Sequence, residues 1–214
     1  MTQSVFDVPA DEMRGPAGVR GRLAAFYRGW LPQHVVAARA AWGLSEEQLP
    51  VPVADPDRRK DGYFAGDPPA IDRWPMLSIN SGRRTQRGVD IDETGQQQFR
   101  SIYPIRVFTW VKVEGREEAQ AMRDDLATLV QVTTLAHHDF GTAGRFQLQP
   151  ATMTTDFSRV EPVKGDRFVA GSYVGFDLAV VETLTDRLAM LTAVPRDTVS
   201  GVNATATPSL DVTP

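Results

Sequence analysis

Two stretches of the chain alternate between apolar and polar residues, and both read as strands. In the first, Ile105, Val107, Thr109, Val111 and Val113 share one face, while Arg106, Phe108, Trp110 and Lys112 share the other. In the second, residues 168–182, Val174, Phe176, Leu178 and Val180 alternate with Tyr173, Gly175, Asp177 and Ala179. Residues 74–80 and 145–157 add two more strands. Pro75 places the earlier of these at a sheet edge or makes Pro75 its first residue. Pro104 lacks an amide proton and is expected to break the ladder just before residue 105.

A different period marks the helices. Val19, Leu23, Phe26, Tyr27 and Trp30 recur at spacings of three and four. Gly29 and Pro32 interrupt this stripe, which predicts a kink, or two helices over 16–30 and 32–43, with Gly43 as C-cap. A second helix is predicted from Arg116 to about His137. Its stripe is Ala119, Met122, Leu126, Leu129, Val130 and Thr133, and Glu117 and Glu118 sit in its first turn, where the helix dipole favours them.

Other segments carry neither period. Residues 1–15 read as an N-terminal arm, and 45–72 as a long irregular loop containing Pro50, Pro52, Pro56, Pro68 and Pro69. Residues 187–214 read as an extended or disordered tail rich in Ala, Thr, Ser, Pro and Val. The span 80–98 separates two strands with Arg83, Arg84, Arg87, Asp90, Asp92, Glu93 and a run of glutamines, a composition unsuited to a core. It is expected to form a long polar hairpin arm. The predicted fold is α+β: one domain over 16–186, with a mixed or antiparallel sheet of about four strands and helices packed on one face. Two helical stripes cover one sheet face. The face bearing Phe108 and Trp110 then needs either the 45–72 loop or a second molecule over it.

Composition narrows the function classes. The 214 residues include 42% apolar residues, enough for a sizeable core. A formal charge of −4 gives no global attraction to nucleic acid or to an anionic membrane. With no cysteine, disulfides and thiolate metal sites are excluded. No run approaches the roughly 20 apolar residues of a membrane span, and the N-terminus is unlike a signal peptide, so the chain is expected to be soluble.

Catalytic signatures fail in turn. There is no GxxxxGK[ST] or GxGxxG loop, and GSYVG at 171–175 places its serine wrongly for a nucleophile elbow. His137, His138 and Asp139 form the one cluster resembling a metal site. Adjacent helical residues point about 100° apart, so the expected role is capping or surface. Asp90, Asp92 and Glu93 lack the calcium-loop pattern. Arg20, Arg22 and Arg28 read as the solvated face of the first helix. No nucleophile, base and orienting partner assemble from the sequence. The expectation is therefore no catalytic, cofactor or metal residues. Interface candidates are Arg83, Arg84, Arg87, Asp90, Asp92, Phe108 and Trp110.

The stretches DRWPMLSINSG, FRSIYPIRVFTWVKVEGREEAQAMRDDLATLV and FVAGSYVGFDLAVVETL, in that order, resemble tail-terminator proteins of long-tailed bacteriophages, especially those of actinobacterial hosts. The resemblance covers about residues 16–185 and rests on element order and texture. It implies a non-enzymatic virion protein at the head–tail junction, assembled in the host cytoplasm. It implies a homohexameric ring that ends growth of the major tail tube protein, joins the head-closure or connector protein, and passes genomic DNA through its lumen without sequence-specific binding. No cofactor and no membrane are implied. The loop 45–72 and the C-terminal tail depart from compact members of that family and leave a head-closure or tail-completion protein as an alternative. A small hydrolase or metal enzyme using His137, His138 or Asp139, and a monomeric host-directed binding module using its sheet face, are readings from other classes.

Overall fold

A computed structural model describes residues 15–54, 61–68, 74–91, 97–163, 165 and 167–183. The order of elements is α1 (Gly15–Trp42), β1 (Tyr63–Phe64), β2 (Met76–Ser81), β3 (Thr85–Ile91), β4 (Gln97–Val113), α2 (Arg116–Ala136), β5 (Phe146–Phe157), β6 (Glu161–Val163) and β7 (Arg167–Thr183). Residues 1–14 of the expected N-terminal arm and the tail expected over 187–214 lie outside the described residues, as do parts of the 45–72 loop; Gly15, expected in the arm, opens α1.

Among the described residues the fold is α+β, with two helices and one open, mixed sheet of seven strands. The sheet runs β1-β2-β4-β7-β5, with β3 also on β4 and β6 also on β7. Only β1 and β2 are parallel. The expected count of about four strands was too low for a simple reason. β4 and β7 are each 17 residues long, and one flank of each is shared by two short partners. β1 and β6, at two and three residues, are too short to show a period. β3 is too polar to show a buried face.

Pro104 does not end β4, contrary to expectation: it pairs with Asp177 inside a continuous ladder. Its carbonyl accepts the Gly82 amide at 2.7 Å, on the flank where β2 ends at Ser81 and β3 has yet to begin at Thr85. A residue's N–H and C=O point to the same flank of an antiparallel strand. The proton that proline lacks would therefore face the gap between two partners, where its loss is cheap.

Gly29 and Pro32 do not split the first helix either. α1 is one helix of 28 residues with Pro32 inside it. Leu31 and Val35, both fully buried, flank the proline. Burying such side chains gives about 1.5–3 kcal/mol each, enough to offset the missing helical hydrogen bond.

One core lies between the helices and a single sheet face. Leu23, Phe26, Tyr27 and Leu31 of α1 and Leu126, Val130 and Ala119 of α2 pack with Ile105, Val107 and Val111 of β4 and Val174, Phe176 and Leu178 of β7. The Thr109 and Ser172 hydroxyls, buried in the same layer, bond to each other at 2.5 Å across the β4–β7 ladder. Beyond α2, the loop 137–145 turns sharply, with Phe140 at φ 52° and Ala143 at φ 51°. Phe140 is held there by burial, stacked on Phe176 at 6.0 Å.

The arginines of α1 are not a solvated face. Arg22 is 3% exposed and donates to the Phe140 and Gly141 carbonyls at 3.2 and 2.6 Å. Arg28 pairs with Asp61, and Arg20 donates to Ser81 Oγ at 3.2 Å. Each ties the helix to a different segment. Expected as solvated, they are structural: Arg22 is buried, and Arg20 and Arg28 are partly buried against the segments they bond.

Candidate interaction surface

The sheet face opposite the helices is organised by the β4–β7 register. Arg106, Phe108, Trp110 and Lys112 stand directly opposite Gly175, Tyr173, Gly171 and Val169. Directly paired residues share a face, so these eight side-chain positions form one surface. The Phe108 and Tyr173 rings lie 5.5 Å apart, and the Arg106 guanidinium sits 5.6 Å from the centre of the Tyr173 ring. At the other end, the Lys112 ammonium is 6.0 Å from the centre of the Trp74 ring. Cations over aromatic faces are attracted by the ring quadrupole and help to fix the rings.

Glycine shapes the floor. A Cβ on Gly171 would meet two Trp110 ring atoms at 2.7 Å, so the indole lies down on the bare backbone of β7. A Cβ on Gly175 would meet Thr154 Oγ1 at 2.9 Å. The result is a groove of roughly 190 Å³ lined by Phe108, Trp110, Tyr173 and Gly171, with Asp156 and Ser158 along its β5 side. The Ser158 amide donates to the Gly171 carbonyl at 2.8 Å, and Arg123 Nη1 of α2 donates to the Ser158 carbonyl at 2.5 Å. These bonds fix that wall to the core.

The sequence left open what covers this face. The loop covers its β2 flank: Ser78 Oγ donates to the Gly66 carbonyl at 2.9 Å, and Asn80 Nδ2 donates to Asp67 Oδ1 at 2.8 Å. Among the described residues, the groove over β4, β7 and β5 stays open, with Phe108, Trp110 and Tyr173 half-buried. Hence Phe108 and Trp110 are brought together as a surface, joined by Tyr173, Gly171 and Asp156, which sequence reading did not single out. Tyr173 was visible as the off-core partner in the alternation of β7. Its neighbourhood with Phe108 needed the register.

The other candidates divide. Arg83 is exposed. Arg84 instead reaches Glu182 at 3.2 Å, and Tyr103 donates to the same carboxylate at 2.6 Å. Glu182 is 5% exposed and Tyr103 fully buried, so Arg84 belongs to a structural network at the far end of β4 and β7. Burial, and the adjoining Glu182 carboxylate, push the Tyr103 hydroxyl up to about 12. Asp92 and the side chains of Arg87 and Asp90 lie outside the described residues.

The histidine cluster is not the adjacent pair. His137 stacks on Trp30 at 3.9 Å and faces His34 at 5.5 Å, and His34 Nδ1 meets Thr133 Oγ1 at 3.0 Å. Burial first, then His34, lowers the His137 pKa, while Asp139 opposes them. One step of four beyond Trp30 in the α1 stripe reaches His34, but its meeting with the end of α2 depends on how the two helices pack, which the period does not give. Among the described residues no group of three or more His, Asp or Glu side chains is placed to hold a metal ion. Among them, too, no helix is long and apolar enough to cross a membrane. Comparison with protein-family models and with curated proteins found no match for this chain.

Proposed function

We propose that this protein is a structural ring subunit at the head-proximal end of a bacteriophage tail tube, a tail terminator without catalytic activity. One observation carries the reading: both helices pack on one sheet face, while an aromatic groove on the other stays open among the described residues. Trp and Tyr in a half-covered groove, with Arg106 against the Tyr173 ring at its rim, are residue types that dominate protein–protein interfaces. With a formal charge of −4 and both signs around the groove, Asp156 beside Arg106 and Lys112, the surface suits a protein partner better than a phosphate backbone. In this reading, copies of the chain close a ring through heterologous contacts, and the polar span 80–98 forms an arm at the subunit boundary or the lumen. The finished ring stops addition of tube subunits and offers its upper surface to the head-closure protein.

The test is assembly. The full-length protein, alone and mixed with purified tail tubes, is sized by light scattering and imaged in negative stain. Rings, or tubes capped at one end, are expected, together with tails of uncontrolled length when the gene is deleted from the phage. Bare tubes in the mixture, with an unchanged length distribution in the deletion, would refute the proposal.

A further inference from the structure

The molecule carries a second apolar surface, on the opposite face of the sheet and at the other end of β4. β3 pairs with the start of β4, with Val89 opposite Phe99 and Ile91 opposite Gln97. Val89 is 49% and Ile91 70% exposed, on an edge strand whose other flank has no strand partner among the described residues. Phe99 shares their face and is half-buried. Two branched apolar side chains standing side by side in water on a sheet edge mark a contact surface.

The groove cannot be filled by this edge of its own chain. Phe99 and Trp110 are eleven positions apart on one strand, about 36 Å at the usual strand rise. The edge and the groove also look out from opposite faces of the sheet. A knob and a hole that cannot meet within one molecule can meet between two. Charge agrees with this pairing: the sequence at the end of the edge strand carries Asp90, Asp92 and Glu93, while Arg106 and Lys112 flank the groove. Arg83 and Arg100, exposed near the edge, match Asp156 on the groove wall.

We infer that the groove of Phe108, Trp110 and Tyr173 receives the Val89–Ile91 edge of a second copy of this chain, in a head-to-tail contact. This rests on the ring reading above and names the surfaces that close the ring. Such a contact is heterologous, so each copy gives one edge and accepts one, and the chain of contacts propagates until it closes.

The chain has no cysteine, so introduced thiols report cleanly. The full-length double variant Ile91→Cys, Asp156→Cys, treated with a short bis-maleimide, is expected to give a ladder of covalent multimers on a denaturing gel. The two single variants mixed are expected to give covalent dimers and nothing larger. Independently, Val89→Asp with Ile91→Asp changes only exposed positions. It should weaken self-association by roughly thirtyfold or more, the loss of a hot-spot contact, with thermal unfolding unchanged. If the wild-type protein forms rings while the double cysteine variant yields no ladder and the aspartate variant assembles normally, the edge-to-groove contact is wrong and the ring reading survives. If no variant and no wild-type sample self-associates, with or without tubes, both fall. Retained binding of the aspartate variant to tubes, without self-association, would support the contact as one between copies. Loss of self-association together with collapse of thermal unfolding would overturn it in favour of a folding role for Val89 and Ile91.

Discussion

The indole of Trp110 rests on Gly171, its cross-strand partner, so closely that a single added methyl group would overlap the ring. This sets the shape of the groove: a flat aromatic floor where two ordinary side chains would have stood upright. Gly171→Ala must lift the indole or shift β7. Overpacking of this kind costs about 1–3 kcal/mol. The expected result is a lower unfolding temperature together with weaker assembly. Trp110→Ala separates the two effects. The ring is half-buried, so its loss should impair oligomerisation more than folding, read by light scattering beside thermal unfolding. If folding collapses while the surviving protein assembles normally, Trp110 is a core residue and the groove is incidental.

The parts of the fold visible in the sequence were those where one side of an element is buried along its whole length. The alternation in β4 and β7 and the stripe of α2 report burial directly, so their faces follow from the sequence alone. Pro32 and Pro104 were read as breaks because propensity is local, whereas both are tolerated for tertiary reasons: burial around Leu31 and Val35, and a gap between β2 and β3. The groove was half legible. Phe108 and Trp110 follow from period two alone. Tyr173, Gly171 and Asp156 join them only through register, which a single sequence does not specify. Arg22 was misread because a polar residue on a helix stripe looks solvated until the loop that caps it is known.

Arg22 makes a sharp prediction of its own. Its guanidinium closes the loop 137–145 by donating to two successive carbonyls from a buried position. Arg22→Met keeps the aliphatic stem and removes those donors. Hydrogen bonds to charged groups contribute about 1.5–3 kcal/mol, and the carbonyl of buried Phe140, left without this donor, adds to the loss. A destabilisation of about 2–3 kcal/mol is expected in denaturant melts, with faster amide exchange concentrated at 140–146. Uniform loss of protection across the chain would show instead that the loop is not a separate unit.

Alkaline pH should unfold the protein in a defined window. The hydroxyls of Tyr27, Tyr63 and Tyr103 are all raised by burial, Tyr103 to about 12 and the other two further. In the unfolded chain a tyrosine ionises near 10. Each group holds its proton more tightly when folded, so its contribution is complete below about pH 10 and is lost as the pH rises through 12. Stability measured by circular dichroism should fall steeply above pH 10, in step with tyrosinate absorbance. Tyr103→Phe should flatten part of that fall while lowering stability at neutral pH, because the Glu182 carboxylate loses a donor at 2.6 Å.

At the acid end, His137 has the opposite sign. Its pKa is lowered in the fold, so the unfolded chain takes up the proton first. Its contribution is full above about pH 6.5 and declines as the pH falls below that value. Protonation would place a charge against Trp30 and beside His34, with Asp139 offering partial compensation. His137→Phe preserves the stacking area without titrating. The variant should lose the component of acid destabilisation that sets in near pH 6.5 and keep the neutral-pH melting temperature within a few degrees. If the variant's pH profile overlays that of the wild type, this histidine has no part in acid sensitivity.

Neighbouring arginines before β3 should behave differently, which no charge count would suggest. Arg83 is exposed, while Arg84 is ion-paired to a carboxylate that is itself 5% exposed. Removing a cation from a buried carboxylate weakens the compensation of its charge, and breaking a fully buried pair costs about 3–5 kcal/mol. Arg84 is partly open to water, and Tyr103 still donates to Glu182, so the expected cost of Arg84→Ser is smaller, about 1–2 kcal/mol. Arg83→Ser should leave unfolding unchanged to within about 0.5 kcal/mol. Restoring neutrality tests the cause: Glu182→Gln added to Arg84→Ser should recover part of the loss, since an amide can still accept from Tyr103 without carrying a buried charge. Additive costs in the double variant would mean that the two side chains act independently and that β3 is held to β7 by its backbone ladder through β4 alone.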